Sequence, residues 1–333
     1  MNHSMNQTST LLSCQTRYLV FIFLLILLTA YLQLGILLIT SFFAYFILKK
    51  MPFRHPWIAV TVFFISMIAI LYVFAFFINQ AYKVLPEIIS TSIPLFIQYA
   101  QQHGIHLPFS DWASMKDLVI EGIKDQLHYV GNVAHWTIKQ TVFFIIATVV
   151  ASSIFMSRKS IRQEVDAEPP HDNLYLTTSR ELFHFFHLLN RSFQTVIGAQ
   201  IIISIINTVI TALFAYEVHL PHPMLVIFIT FFCGLLPVVG NLVSNTVIIC
   251  IGFTVSPQLA FYSLIFLVVV HKLEYFLNSK IIGGRIENPF WLTLIGLVVG
   301  ERILGITGII FAPVVLHFIK VVMSKPLTTD SHK

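Results

Sequence analysis

The chain has 333 residues, 56% of them hydrophobic and only 11% charged, with a mean hydropathy of +0.82. Soluble domains carry about 25% charged residues, so this composition excludes an ordinary soluble enzyme and predicts an all-α polytopic membrane protein in a lipid bilayer. Twenty Lys and Arg against 15 Asp and Glu give a net charge of +5, but no basic patch on a soluble face accompanies it, so nucleic acid is not an expected partner.

Residues 1–17 are polar and read as a short cytoplasmic tail. Residues 18–78 hold the first membrane segments. The run Tyr18–Leu48, about thirty residues, exceeds the roughly 20 that one helical span needs. It also exceeds a signal-peptide core, and no cleavage site follows it. Leu32-Gln33-Leu34-Gly35 at its centre predicts either a bend into a hairpin or one long tilted span. Lys49, Lys50 and Arg54 follow and place that loop in the cytoplasm by the positive-inside rule. Pro56–Ile78 reads as an outward span.

Residues 79–135 turn mixed in polarity, with Pro86, Pro94 and Pro108 as expected breaks and acidic residues in excess. This predicts an extracytoplasmic helical segment, including an amphipathic helix carrying Trp112, Met115, Val119, Ile123 and Leu127. Residues 136–157 return as a transmembrane helix ending at Arg158, Lys159 and Arg162. Residues 158–192 form a cytoplasmic linker and the start of a helix, with Thr178 and Glu181 as a capping box. Residues 193–324 hold the remaining membrane segments, and 325–333 a second cytoplasmic tail.

Two more overlong runs fall in that last stretch. Met224–Phe253 is interrupted by Gly234, Pro237 and Gly240, and Phe290–Met323 by Gly300, Gly305 and Gly308. Proline removes a backbone donor and clashes with the preceding turn, while glycine tolerates conformations other residues avoid. Broken helices at membrane depth survive only where protein or a water-lined cavity satisfies them, and paired broken segments point to a transport site. Loop charges balance best if all three long runs return to their starting side.

No catalytic motif is present: there is no nucleophile elbow, phosphate loop, dinucleotide fingerprint or His-Glu-x-x-His string. No catalytic residue, cofactor or metal site is therefore expected. His184 with His187, and His219 with His222, are weak metal candidates only, and Cys14, Cys233 and Cys250 lack metal or disulfide spacing. Polar residues inside the spans carry more information. Gln200, Ser204, Asn207, Thr208 and Thr211 make one helical stripe, read either as the lining of a substrate path or as interhelical hydrogen bonding. Asn241 and Asn245 follow the Pro237–Gly240 break at a spacing of one turn. Glu274 is read as half of an ion pair with a basic residue or as a titrating gate, and Glu301 with Arg302 as a charged hairpin tip or a gate.

The strings Phe231–Asn241, Leu273–Gly284, Leu294–Gly300 and Leu304–Pro313, with Gly198-Ala199-Gln200, resemble the autoinducer-2 exporter (AI-2E) family of membrane permeases. The chain departs from that pattern at Asn241, where many members carry proline, and at Lys280-Ile281, where many carry Pro-Arg. The resemblance implies a polytopic fold, transport of a small solute and a homo-oligomer. In some members the implied activity is export of a signalling molecule, in others cation–proton antiport.

The expected function is thus that of a multi-pass inner-membrane transporter with both termini cytoplasmic, exporting a small polar solute or exchanging cations for protons. Its path would run between Gln200, Ser204, Asn207 and Thr211 and the breaks at Pro237, Gly240, Asn241 and Asn245 and at Gly300–Gly308. Glu274, Glu301 and Arg302 would couple or gate it, and Gly234, Gly305 and Gly308 would serve as hinges. The alternative is a non-transporting scaffold acting through residues 79–135.

Overall fold

The structure, a computed structural model, describes residues 2–104, 130–166, 174–237, 239–282 and 289–324. Among them lie ten α-helices and no strands: α1 (Asn2–Tyr31), α2 (Gly35–Lys50), α3 (Pro56–Gln102), α4 (Val130–Asp166), α5 (Leu174–Glu217), α6 (Pro223–Gly234), α7 (Val239–Val255), α8 (Pro257–Ile282), α9 (Phe290–Leu304) and α10 (Ile306–Met323). Five helical stretches, one each in α3, α4, α5, α8 and α10, are long and apolar enough to cross a membrane.

All three overlong runs are broken near the glycines and prolines that predict it. In the first, Gln33 takes a left-handed φ of 56°, and the Leu34 and Gln33 amides donate back to the Thr29 and Ala30 carbonyls. That pair of bonds is a Schellman stop, which satisfies helix-end carbonyls without water. The second run gives α6 and α7, of 12 and 17 residues, each shorter than the roughly 20 a span needs. They pack on each other instead, as do α9 and α10. Between α9 and α10 Gly305 has φ 63° and ψ −144°, a region open essentially to glycine.

Elsewhere the helices run further than the sequence pattern predicts. Helix α1 starts at Asn2, within the polar stretch read as a tail. Helix α3 continues through both Pro86 and Pro94 for 47 residues, about 70 Å, where breaks are expected. Helix α5 begins at Leu174, ahead of the Thr178 capping box. The amphipathic helix expected over 112–127 lies outside the described residues.

The chain forms two units. Unit 1 comprises 1–63, 140–198 and 282–333. Its core is aromatic: Phe185, Phe193 and Phe318 are fully buried, Tyr18 and Phe21 pack on Phe185, and Phe42 and Phe43 pack on Phe193. Both α1 and α2 thereby lie along α5. Lipid tails are as apolar as leucine, so close packing replaces water exclusion as the source of helix association. The α9–α10 pair meets this need with glycine: a side-chain carbon on Gly308 would collide with the Gly300 carbonyl.

Unit 2 comprises 64–139 and 199–281. Val84 and Ile88 of α3, Leu225 of α6, Ile248 and Ile251 of α7 and Leu267 of α8 form its core. The Phe77–Phe228 and Phe214–Phe266 ring pairs stack at centroid distances of 4.3 and 4.0 Å. Ser92 ties α3 to α7 through the Cys250 carbonyl at 2.7 Å. Ile65, Ile68, Leu71 and Tyr72 on α3 and Val268 and Val269 on α8 are exposed. An apolar surface of that extent fits a hydrocarbon surround.

Candidate functional site at the broken helix of unit 2

A helix leaves its last four carbonyls without intrahelical partners, and at membrane depth each must find one in the protein. For α6 these are Phe231, Phe232, Cys233 and Gly234, and every one is satisfied. The Ser204 hydroxyl donates to Phe231 O at 2.6 Å, and Gln200 Nε2 donates to Gly234 O at 2.6 Å. The turn amides of Leu235 and Leu236 donate to Phe232 O (3.3 Å) and Cys233 O (2.8 Å). Two members of the α5 polar stripe thus cap the end of α6 from a neighbouring helix.

The turn is held close. A side-chain carbon on Gly240 would collide with the Cys233 carbonyl, and one on Gly234 would stand 2.8 Å from Ser204 Oγ. Pro237 lies in the turn itself and is half-buried. The chain then restarts as α7, with Asn241 in its first turn. Asn241 Nδ2 donates to Glu274 Oε2 on α8 at 2.5 Å. Glu274 is only 8% exposed and has no cationic partner among the described residues; His271 and Lys272 of the same helix are exposed. Lys280 and Arg285, the basic residues that follow Glu274 in sequence, fall outside the described side chains, so the expected ion pair lies outside the described residues and the bond seen is the amide–carboxylate one.

The remaining predicted residues divide as follows. Asn207 and Thr211 are buried on α5, and Asn207 Oδ1 has no hydrogen-bond partner among the described residues. Thr208 donates to the Ser204 carbonyl of its own helix. Asn245 is half-buried one turn beyond Asn241. Glu301 and Arg302 are exposed at the end of α9, and with Gly305 and Gly308 they belong to unit 1, whereas Glu274 belongs to unit 2. His184, His187, His219 and His222 are exposed, and the latter two have positive φ. Among the described residues no three potential metal ligands gather.

Sequence reasoning singled out Asn241 and Glu274 separately but not their pairing, which depends on how α7 crosses α8. It also passed over Thr230 and Ser263, buried hydroxyls in unit 2 without partners among the described residues. Each is a polar residue inside an apolar run, and that was the available signal.

Helices that stop and restart inside an apolar protein, capped there by a neighbouring span, characterise multi-pass membrane permeases. The AI-2E family transporter profile matches residues 11–327, nearly the whole length, and the chain belongs to that family. It is also similar to the "Putative transport protein YdbI" of Bacillus subtilis (strain 168), with 24% identity over 232 residues, 67% of this chain. The match spans 65% of that relative's length. No solved structure matches the chain.

Proposed function

We infer that this transporter exchanges a small cation for a proton at Glu274. The observation that carries the reading is a buried carboxylate whose described partner is a neutral amide. A charged group in an apolar interior is stable only with a counter-charge or a proton, so such a carboxylate suits alternate loading by a cation and by H⁺. Asn241 orients one carboxylate oxygen and leaves the other for the cation. The α6–α7 break supplies a turn whose backbone sits beside the site, and the capping by Gln200 and Ser204 keeps that turn in place. Hinging at Gly234 and Gly240 would expose the carboxylate to one side and then the other.

The same reading places the protein in the cell's inner membrane with both termini cytoplasmic, supported by Lys49, Lys50, Arg54 and Arg158 after their spans. The exposed apolar faces of α3 and α8 are compatible with a homo-oligomer. Purified protein in vesicles preloaded with a pH-sensitive dye and given pulses of sodium, potassium or lithium tests the exchange. Wild type should alter internal pH with at least one cation, and Glu274→Gln should reduce that response at least tenfold while folding normally. An equal response from Glu274→Gln would remove the carboxylate from the mechanism. Flux of an organic solute without pH change would favour solute export, and no flux of any kind the scaffold alternative.

A further inference from the structure

Unit 1 contains a second polar constellation, at the basic ends of α2 and α10 where they meet α5. His317 on α10 is only 6% exposed, and neither ring nitrogen has a hydrogen-bond partner among the described residues. Arg191 of α5 and Lys320, one turn further along α10, lie close enough to act electrostatically on that ring. On the same stretch of α5, Gln194 accepts a hydrogen bond from Lys49 Nζ through Oε1 at 3.4 Å, and its buried Nε2 donor has no partner among the described residues. Neither Lys49 nor Arg191 has a carboxylate partner among the described residues.

Every group in this constellation offers protons or positive charge. A lysine brings three donors, an arginine five in a planar fork, an amide nitrogen two and an imidazole at least one. Like charges held near one another repel, and a buried donor such as Gln194 Nε2 that meets no acceptor forfeits a hydrogen bond. An oxyanion removes both penalties at once. The buried Asn190 Oδ1 is an acceptor and takes no part.

We propose that unit 1 binds a phosphate-type oxyanion between Lys49, Arg191 and Lys320, with Gln194 Nε2 and the His317 ring as its buried hydrogen-bond donors. The chemistry is shared by a phospholipid headgroup and by a soluble phosphate, and the site is independent of the exchange assigned to Glu274.

The test uses the full chain in nanodiscs and reads its thermal unfolding midpoint. One arm adds inorganic phosphate to phosphatidylcholine discs, with chloride of equal ionic strength as reference. The other replaces phosphatidylcholine stepwise by phosphatidylglycerol. A rise in the first arm identifies a soluble anion, and a rise in the second alone a headgroup; either supports the site. Arg191→Gln, at an exposed position, and His317→Gln should each move the response to about tenfold higher probe concentration or lipid fraction, the loss of one charge-assisted bond. Arg158→Gln, outside the constellation, should leave it unchanged. The proposal falls if neither probe exceeds chloride or the phosphatidylcholine baseline, if both site variants respond as wild type does, or if Arg158→Gln weakens the response equally.

Discussion

Phe231 and Gly234 end α6 with carbonyls that their own helix cannot pair, and Ser204 and Gln200 are placed to meet them. Replacing Gln200 by leucine keeps its bulk and strands the Gly234 carbonyl. Interhelical bonds of this kind contribute roughly 0.6–1.7 kcal/mol in membrane proteins, so Gln200→Leu should lower stability by about 1 kcal/mol in a denaturant titration in micelles. The glycines predict a sharper contrast. At Gly240 a methyl group meets the Cys233 backbone, whereas at Gly198 its nearest neighbour is the edge of the Phe46 ring at 4.0 Å. Gly240→Ala should cost more than about 2 kcal/mol or prevent folding, while Gly198→Ala should unfold at the wild-type midpoint. Each polar residue of the site was legible as a polar letter in an apolar run. The partner of Glu274 was not, because Asn241 stands 33 positions away and only the packing of α7 on α8 brings them together.

At the scale of elements, the breaks were legible because glycine and proline act through the backbone, and backbone effects are local. The same rule misled at Pro86 and Pro94, where α3 continues. Proline in a helix removes one hydrogen bond and adds a clash, about 3 kcal/mol when isolated, but neighbouring helices and hydroxyl side chains re-satisfy the backbone in a membrane. Between the two prolines, Ser90 Oγ donates to Glu87 O at 3.0 Å, and Ser92 Oγ lies within bonding distance of both Ile88 O and Cys250 O. No local pattern announces that a neighbouring helix will hold α3 together. The α9–α10 pair gives a prediction at this scale. Gly308→Ala forces the two helices apart at the Gly300 carbonyl, so amide hydrogen exchange across Leu297–Gly308 should accelerate at least tenfold, with α6 and α7 unaffected.

At the scale of the whole molecule, composition settled the class and the interrupted runs indicated the family, whereas the division into two units had no signature in the sequence. Its boundaries fall between residues 63 and 64, 139 and 140, 198 and 199, and 281 and 282. They lie inside α3, α4, α5 and α8 and not in loops. Composition shifts and Pro- or Gly-rich linkers, the marks by which domains are read from sequence, do not flag the three boundaries inside α3, α4 and α5, and only the fourth is followed by a glycine pair, Gly283-Gly284. The presumption that a compact unit equals a stretch of chain fails here.

The four helical crossings have a further consequence, for dissection of the protein. Unit 1 is assembled from three separate stretches and unit 2 from two, so no single fragment contains one whole unit without part of the other. A protease cutting between α4 and α5 should release two pieces that each carry parts of both units and remain associated until denatured, which native electrophoresis followed by a denaturing second dimension would display. Truncation series will not isolate the Glu274 site or the Lys49–His317 constellation. Point substitutions and split-chain co-expression are the routes open to separating their roles.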